Sequence, residues 1–117
     1  MTLPGRTGAA KAAVDDVVMG CVGQAGEQSA HVGRNAVLAS SLPQSVPAVS
    51  IDRQCGSSQQ SIHFAAQAVM SGTQDVVIAA GVESMTRVPM GLPTMLPMQN
   101  GIGVGPWPKS IQDRFGV

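Results

Sequence analysis

The sequence has few charged residues and no excess of either sign. Lys, Arg, Asp and Glu make up 12% of the 117 residues, and the formal net charge is zero. That share is about half of what a soluble domain usually carries. Neutrality gives no electrostatic basis for binding nucleic acid or an anionic membrane. A small domain on its own has much surface to cover with polar groups, so we expect a part of a larger fold.

Cysteines and long apolar runs are also scarce. The two cysteines, Cys21 and Cys55, stand 34 positions apart and provide no disulfide framework, as is usual in a reducing compartment. No apolar run approaches the roughly 18 residues that a membrane-spanning helix requires. Residues 1–6 lack the charged and then apolar layout of a secretory signal. These features predict a cytoplasmic protein with no membrane partner.

Short apolar runs alternate with helical patterns along the middle of the chain. The predicted strands cover residues 17–19, 48–52 and 76–80, and the predicted helices cover residues 28–41 and 57–71. Gly72 is expected to end the second helix in a left-handed conformation. Strands that alternate with helices predict an α/β fold with a parallel sheet and right-handed crossovers. Because the third strand is apolar throughout, we expect it to be buried on both faces of the sheet.

Cys55 lies where the second predicted strand gives way to the second helix. The N–H groups at a helix start are unpaired, and their partial positive charge favours the thiolate, which is the nucleophilic form. Gly56, Ser57 and Ser58 are small and leave room for a substrate carbonyl to approach the sulfur. For an arbitrary cysteine a buried structural role is the commoner alternative. With these neighbours, the sequence predicts that Cys55 is a catalytic nucleophile.

Two blocks around this cysteine resemble the thiolases (acetyl-CoA C-acyltransferases). The first block is IDRQCGSSQQS at residues 51–61, and the second is DVVIAAGVESM at residues 75–85. Segments 14–20 and 26–34 also resemble thiolase sequence, so the likeness runs from about Val14 to Met90. The family's opening strand and Arg-Thr-Pro turn have at best a faint echo in Arg6-Thr7-Gly8.

The resemblance implies a partial thiolase fold, α/β in class, whose mostly parallel buried sheet packs with the nucleophile-bearing helix between layers. A whole thiolase has two similar core halves and a loop domain. Residues 1–88 are then expected to be part of the N-terminal core domain, and residues 89–117 the start of the loop domain. Thiolases generally assemble as dimers or tetramers, so a homo-oligomer is expected of the full-length protein.

The resemblance also implies a reaction. Thiolases exchange acyl groups between coenzyme A thioesters through an acyl-cysteine intermediate, and the acyl-accepting cysteine corresponds to Cys55. The Cys55 N–H is expected to contribute to an oxyanion hole. No covalently bound cofactor is expected. The family's activating histidine, Cys-x-Gly motif and Asn-Glu-Ala-Phe-like segment do not occur in these residues. The chain alone is therefore expected to be inactive, and a non-catalytic fragment with only a packing role is the alternative.

Other candidate sites carry weaker signals. Gly20, Gly23 and Gly26 have a spacing of three and three, whereas a dinucleotide-binding turn needs two and then three. His31 and His63 have no companions at metal-ligand spacing, so no metal is expected. His63 lies about 12 Å beyond Cys55 along a helix, out of hydrogen-bond reach.

Three further residues are expected to have structural roles. Cys21 is expected to be a core residue because it ends a strand, and His31 to be a polar or interface residue on its helix. Glu83 is expected to anchor the turn after the third strand, in an ion pair with Arg87.

The last part of the sequence differs in composition from the rest. Residues 88–108 contain no charged side chain, five prolines, four glycines and three methionines. Proline density of this kind predicts neither a helix nor a central strand. A helix is expected to begin within residues 110–117.

Overall fold

A parallel three-stranded sheet organises the chain, as a computed structural model describes it for residues 8–117. The strands are β1 (Asp16–Gly20), β2 (Ala48–Ile51) and β3 (Val77–Gly81), in the order β2-β1-β3. The central strand β1 pairs with both neighbours in parallel register. This confirms the predicted α/β class and parallel pairing. The resemblance at Arg6 and Thr7 lies outside the described residues.

Among the described residues 8–117, four α-helices accompany the sheet. Their bounds are α1 (Val32–Ala39), α2 (Ser57–Met70), α3 (Leu92–Gln99) and α4 (Lys109–Phe115), and short 3-10 segments cover Lys11–Ala13 and Gly26–Gln28. Helix α1 connects β1 to β2, and α2 connects β2 to β3. Gly72 follows α2 with φ +76°, as expected of a left-handed helix stop. Within residues 8–117, no helix combines the length and the apolar character needed to span a bilayer.

The predicted helix 28–41 is wrong in its first turn. Ala30 and His31 have left-handed backbone angles, with φ 54° and 64°, and this interrupts a helix at both residues. The α-helix begins at Val32, where the His31 ring nitrogen Nδ1 accepts the Arg34 N–H at 3.2 Å. At the other end, the Ser40 hydroxyl donates to the Val37 carbonyl at 2.7 Å and closes the last turn.

Helices α1 and α2 cover opposite faces of the sheet. Side chains alternate along a strand, so Val17 and Met19 point to one face while Val18 and Gly20 point to the other. Met19 lies against Gly33 of α1, whereas Gly20 lies against the start of α2. The core on the α1 side comprises Val14, Val17, Val37, Leu42, Val46 and Ile78.

Burial on both faces occurs in β1 rather than in β3. Residues 17–20 of β1 are all buried, whereas β3 has one buried residue, Ile78, and ends on the exposed Gly81. The expectation for β3 was wrong because β3 is an edge strand of the described sheet. On α2, the side that faces away from the sheet carries exposed apolar side chains, with Ile62 60% and Met70 86% exposed.

The proline-rich segment also forms a helix, contrary to the sequence prediction. Pro93 lies in the first turn of α3, where a backbone N–H has no partner within the helix in any case. Pro97 lies inside α3 and removes one hydrogen bond there. The first turn is closed by the Thr94 and Met95 N–H groups, which both donate to the Gly91 carbonyl. The later helix expected to begin within residues 110–117 is present as α4, which begins one residue earlier, at Lys109.

Candidate active site

Cys55 lies in a tight turn between β2 and α2, and the turn is closed by its own hydrogen bonds. The Asp52 carboxylate accepts the Gln54 N–H at 2.7 Å, and Gln54 adopts a left-handed φ of 45°. The Ser57 hydroxyl accepts the Arg53 N–H at 2.9 Å and donates to the Gln54 carbonyl at 2.9 Å. These bonds hold the turn so that Cys55 is exposed at the start of α2.

Two glycines allow α2 to begin directly on the ends of the strands. Gly20 and Gly81 are paired across β1 and β3. A Cβ atom at Gly20 would lie 2.5 Å from the Ser57 carbonyl carbon, and one at Gly81 would overlap the Ser58 hydroxyl. The sequence analysis did not identify this role. A signal was available in the sequence: one strand before the cysteine turn and one strand after it each end on a glycine.

The segment after β1 is held by a carboxylate and a buried amide. Glu83 accepts the Val22 N–H at 3.2 Å and the Gly23 N–H at 3.2 Å. The Gln28 side chain donates to Glu83 at 2.7 Å and to the Gly23 carbonyl at 2.7 Å. Its amide oxygen accepts the Ser84 N–H at 2.7 Å. Glu83 therefore anchors this end of the sheet, as expected.

The ion pair expected between Glu83 and Arg87 is wrong. Arg87 pairs with Glu27 at 3.4 Å, and both side chains are largely exposed. Glu83 is instead turned toward the backbone of the loop after β1, where N–H donors take the place of the arginine. A pair between exposed side chains contributes little to stability.

The same hydrogen bonds affect two ionisable groups. Desolvation raises the pKa of Glu83, but the hydrogen bonds from Gln28, Gly23, Val22 and Cys21 outweigh it, and the net pKa lies below its ordinary value. Burial raises the pKa of the Cys21 thiol, and the neighbouring Glu83 carboxylate raises it further. At neutral pH, Glu83 is thus an anion beside a protonated thiol.

A cleft of about 770 Å³ opens at the carboxyl end of the sheet. Both cysteines line it, with Cys55 on the α2 side and Cys21 on the β1 side. Apolar side chains from the segment after β3, including Met85, Val88 and Met90, line another part. The arrangement brings an exposed thiol at a helix start to a cavity large enough for a small organic substrate.

Other residues singled out from the sequence have structural positions. Cys21 is 1% exposed, which confirms its expected place in the core. The His31 ring bonds Ser50 Oγ and the Ala48 carbonyl oxygen, each at 2.9 Å, and so links α1 to β2. His63 is exposed on α2, and within residues 8–117 no side chain forms a hydrogen bond with the Cys55 thiol. That same part of the chain contains no cluster of three or more His, Cys, Asp or Glu residues able to hold a metal ion.

Comparison with known proteins places the sequence beside the thiolases. Residues 3–105 match the family described as thiolase, N-terminal domain. The chain is 53% identical over 85 residues to a steroid 3-ketoacyl-CoA thiolase (FadA6) of Mycobacterium tuberculosis, a match that covers 73% of the chain and 21% of that protein. It is 50% identical over 76 residues to a 3-oxoadipyl-CoA/3-oxo-5,6-dehydrosuberyl-CoA thiolase of Escherichia coli, with 65% of the chain and 19% of that protein covered.

The fold leads to the same group of proteins. The structure superposes on the crystal structure of the Bacillus anthracis acetyl-CoA acetyltransferase with a TM-score of 0.68 and 37% sequence identity. That match covers 74% of the chain and 22% of the other protein, so the chain spans about a fifth of the length of the relatives it matches. Its sheet and helices form a partial thiolase fold. The family match covers most of the sequence, and the chain therefore belongs to the thiolase family, in the part that forms the N-terminal domain.

Proposed function

We propose that Cys55 is the acyl-accepting nucleophile of a thiolase-type acyltransferase. The observation that carries the proposal is the exposed thiol at the start of α2, on a cleft shared with the carboxyl ends of β1 and β3. A helix start supplies unpaired N–H groups that can donate to an oxyanion forming at the turn. The close contact of Gly20 and Gly81 with the first turn of α2 fixes the position of that helix start.

The proposed chemistry is one half of an acyl exchange. The Cys55 sulfur attacks the carbonyl carbon of an acyl-CoA thioester and forms a new carbon–sulfur bond. The bond from that carbon to the coenzyme A sulfur breaks, its electron pair leaves with that sulfur, and the proton lost by Cys55 ends on it. The N–H of Cys55 is the proposed donor to the oxyanion that forms in between. Dividing the exchange into two steps lowers each barrier.

The proposed substrates are coenzyme A thioesters of the 3-ketoacyl class or the acetyl thioester itself. The names of these relatives describe 3-ketoacyl, 3-oxoadipyl and acetyl thioesters for those proteins, and membership of the same family is the reason to extend the class to this chain. The apolar lining at Met85, Val88 and Met90 suits an acyl chain or the pantetheine arm. We keep a cytoplasmic location and a homo-oligomeric full-length protein as parts of this proposal.

The chain alone is proposed to be unable to complete the cycle. His31 bonds the backbone of β2 and His63 is exposed along α2, so neither is placed as a base for Cys55. We expect the isolated chain to show no thiolysis of acetoacetyl-CoA at high protein concentration. Turnover that is abolished by Cys55→Ala would contradict this part of the proposal and show that the chain is sufficient.

Alkylation separates the proposed nucleophile from the second thiol. The folded chain is treated with limiting iodoacetamide near neutral pH, and the two cysteine-containing peptides are quantified by mass spectrometry. We expect Cys55 to be labelled well before Cys21. Equal labelling of the two thiols in the folded chain would remove the support for Cys55 and favour a fragment with only a packing role.

A further inference from the structure

The cleft contains a second thiol whose hydrogen bonds are unusual for a core cysteine. The Cys21 sulfur lies 3.7 Å from Glu83 Oε2 and 3.4 Å from Gln28 Nε2. Cys21 is 1% exposed, yet it lines the same cleft as Cys55. Its N–H donates to the Ile51 carbonyl at 2.9 Å, which fixes it beside the strand that leads into the Cys55 turn. An acyl thioester in this cleft would therefore lie close to two sulfur atoms, of which that of Cys21 is almost wholly enclosed.

We propose that Glu83 is a positioning residue that keeps the proton on the Cys21 sulfur, so that Cys55 is the single nucleophile of the cleft. The inference rests on the proposed acyl transfer, because selection between two thiols matters only where an electrophile binds. Glu83 acts through Cys21 and is not itself proposed to touch substrate.

The geometry assigns the direction of the hydrogen bond. A carboxylate has no proton to give, so the contact between Cys21 and Glu83 forms when the S–H group donates to the carboxylate oxygen. The Gln28 amide lies on the same side of the sulfur as Glu83, and it donates to the sulfur at 3.4 Å and to the same carboxylate oxygen at 2.7 Å. A Cys21 thiolate would lose the hydrogen bond to Glu83 and would face the Glu83 carboxylate at the same distance.

The surrounding charges act in the same direction. The charged side chains that line the described cleft are both acidic: Glu83 follows β3, and Asp52 follows β2. Burial raises the pKa of Cys21, and the charges of Glu83 and then Asp52 add to that effect, while the neutral Gln28 opposes it. No cation from the residues that line the cleft offsets the two carboxylates.

Acylation of Cys21 would trap the acyl group. The transfer would form a carbon–sulfur bond on Cys21, break the bond to the coenzyme A sulfur and pass the Cys21 proton to that sulfur. The product would be a thioester on a side chain that is almost wholly enclosed. Retention of the proton prevents formation of the carbon–sulfur bond on Cys21, because a thiol is a far poorer nucleophile than a thiolate.

The test uses the full chain with Cys55→Ser as the parent, so that Cys21 is the remaining thiol. The rate of Cys21 alkylation by iodoacetamide is followed against pH by mass spectrometry. In this parent we expect the midpoint to lie above that of free cysteine. Adding Glu83→Gln to this parent should lower the midpoint by about one pH unit. At pH values below the midpoint, the double variant should be labelled about tenfold faster than the parent. Glu27→Gln, which removes an exposed acid that pairs with Arg87, is the matched control and should match the parent.

The pH profile distinguishes electrostatics from simple opening of the structure. If Glu83→Gln speeds labelling at all pH values without moving the midpoint, Glu83 only holds the fold closed and the proposal is overturned. A parent midpoint at or below that of free cysteine overturns it without any further variant, even where Glu83→Gln fails to fold. Because Cys55 is absent from every protein compared, a failure of the proposed acyl transfer would appear separately, in the labelling of the unsubstituted chain.

Discussion

Gly20 and Gly81 face each other across β1 and β3, and the first turn of α2 rests on this pair. Gly20 contacts the helix backbone at Ser57 and Ser58, and Gly81 contacts the Ser58 side chain. The position of Cys55 relative to the sheet thus depends on the absence of two Cβ atoms. Neither glycine has an unusual φ, so close approach and not turn geometry is the reason for glycine here.

Replacing Gly20 with alanine should destabilise the chain by overpacking. The new Cβ would lie 2.5 Å from the Ser57 carbonyl carbon, and backbone cannot move aside as a flexible side chain can. We expect the free energy of unfolding to fall by about 1–3 kcal/mol in a urea titration. Gly23→Ala is the matched control because its nearest neighbours would lie at 3.4 Å, an ordinary contact distance. Equal losses in the two variants would contradict the role assigned to Gly20.

The pH dependence of stability should depend in part on Asp15. Its carboxylate accepts the Asp75 N–H at 2.8 Å and the Val76 N–H at 3.1 Å, and these bonds lower the pKa of Asp15 from 3.8. A pKa that is lower in the folded state stabilises the fold above the unfolded pKa, and this contribution is lost as the pH falls through the folded value.

The measurement is the urea midpoint of the chain at a series of acidic pH values. The unsubstituted chain should lose stability as the pH drops below about 4. Asp15→Asn should be less stable near neutral pH and should lose less on acidification. A variant whose acid-dependent loss equals that of the unsubstituted chain would show that these two hydrogen bonds do not depend on the carboxylate charge.

The outer side of α2 should make the isolated chain associate. Ile62, Val69 and Met70 are exposed there, and large exposed apolar patches mark surfaces that other protein covers. Within residues 8–117, β2 and β3 each pair with β1 alone, so each leaves an edge able to recruit another strand. We expect size-exclusion chromatography to show association that increases with concentration.

Substitution can assign that association to the helix. Ile62→Gln combined with Met70→Gln should shift the elution toward monomer. His63→Gln, on the same helix but already polar, should leave the elution unchanged. A chain that elutes as a monomer at every concentration and unfolds cooperatively would contradict the expectation.

The sequence allowed the strands, the parallel sheet and the cysteine turn to be predicted because each has a local pattern. Val17 to Met19 and the run before Gly81 are apolar and rich in β-branched residues, and Cys55 is followed by small residues at a helix start. The contact of Gly20 and Gly81 with α2 was not predicted because it depends on which strands become neighbours. The partner of Glu83 was missed for a similar reason: spacing along the chain pointed to Arg87, whereas the fold brings Val22 and Gly23 closer.

The proline-rich segment was missed for a different physical reason. A count of prolines treats all helix positions alike, whereas Pro93 occupies a first-turn position where it costs little. The late start of the helix predicted at 28–41 came from backbone angles at Ala30 and His31 that propensity does not anticipate. In both cases the geometry at individual residues, and not the overall composition, decided the outcome.

Acetyl transfer to the folded chain tests the central claim most directly. The chain is incubated with acetyl-CoA, and the position of any acetyl thioester is mapped by mass spectrometry, with Cys55→Ser and the urea-unfolded chain as controls. The account predicts a single acetyl group on Cys55, absent from Cys55→Ser and slower to form after unfolding. Acetylation of Cys21 in its place, or equal transfer to the folded and unfolded chains, would contradict the proposal that the cleft makes Cys55 the acyl acceptor.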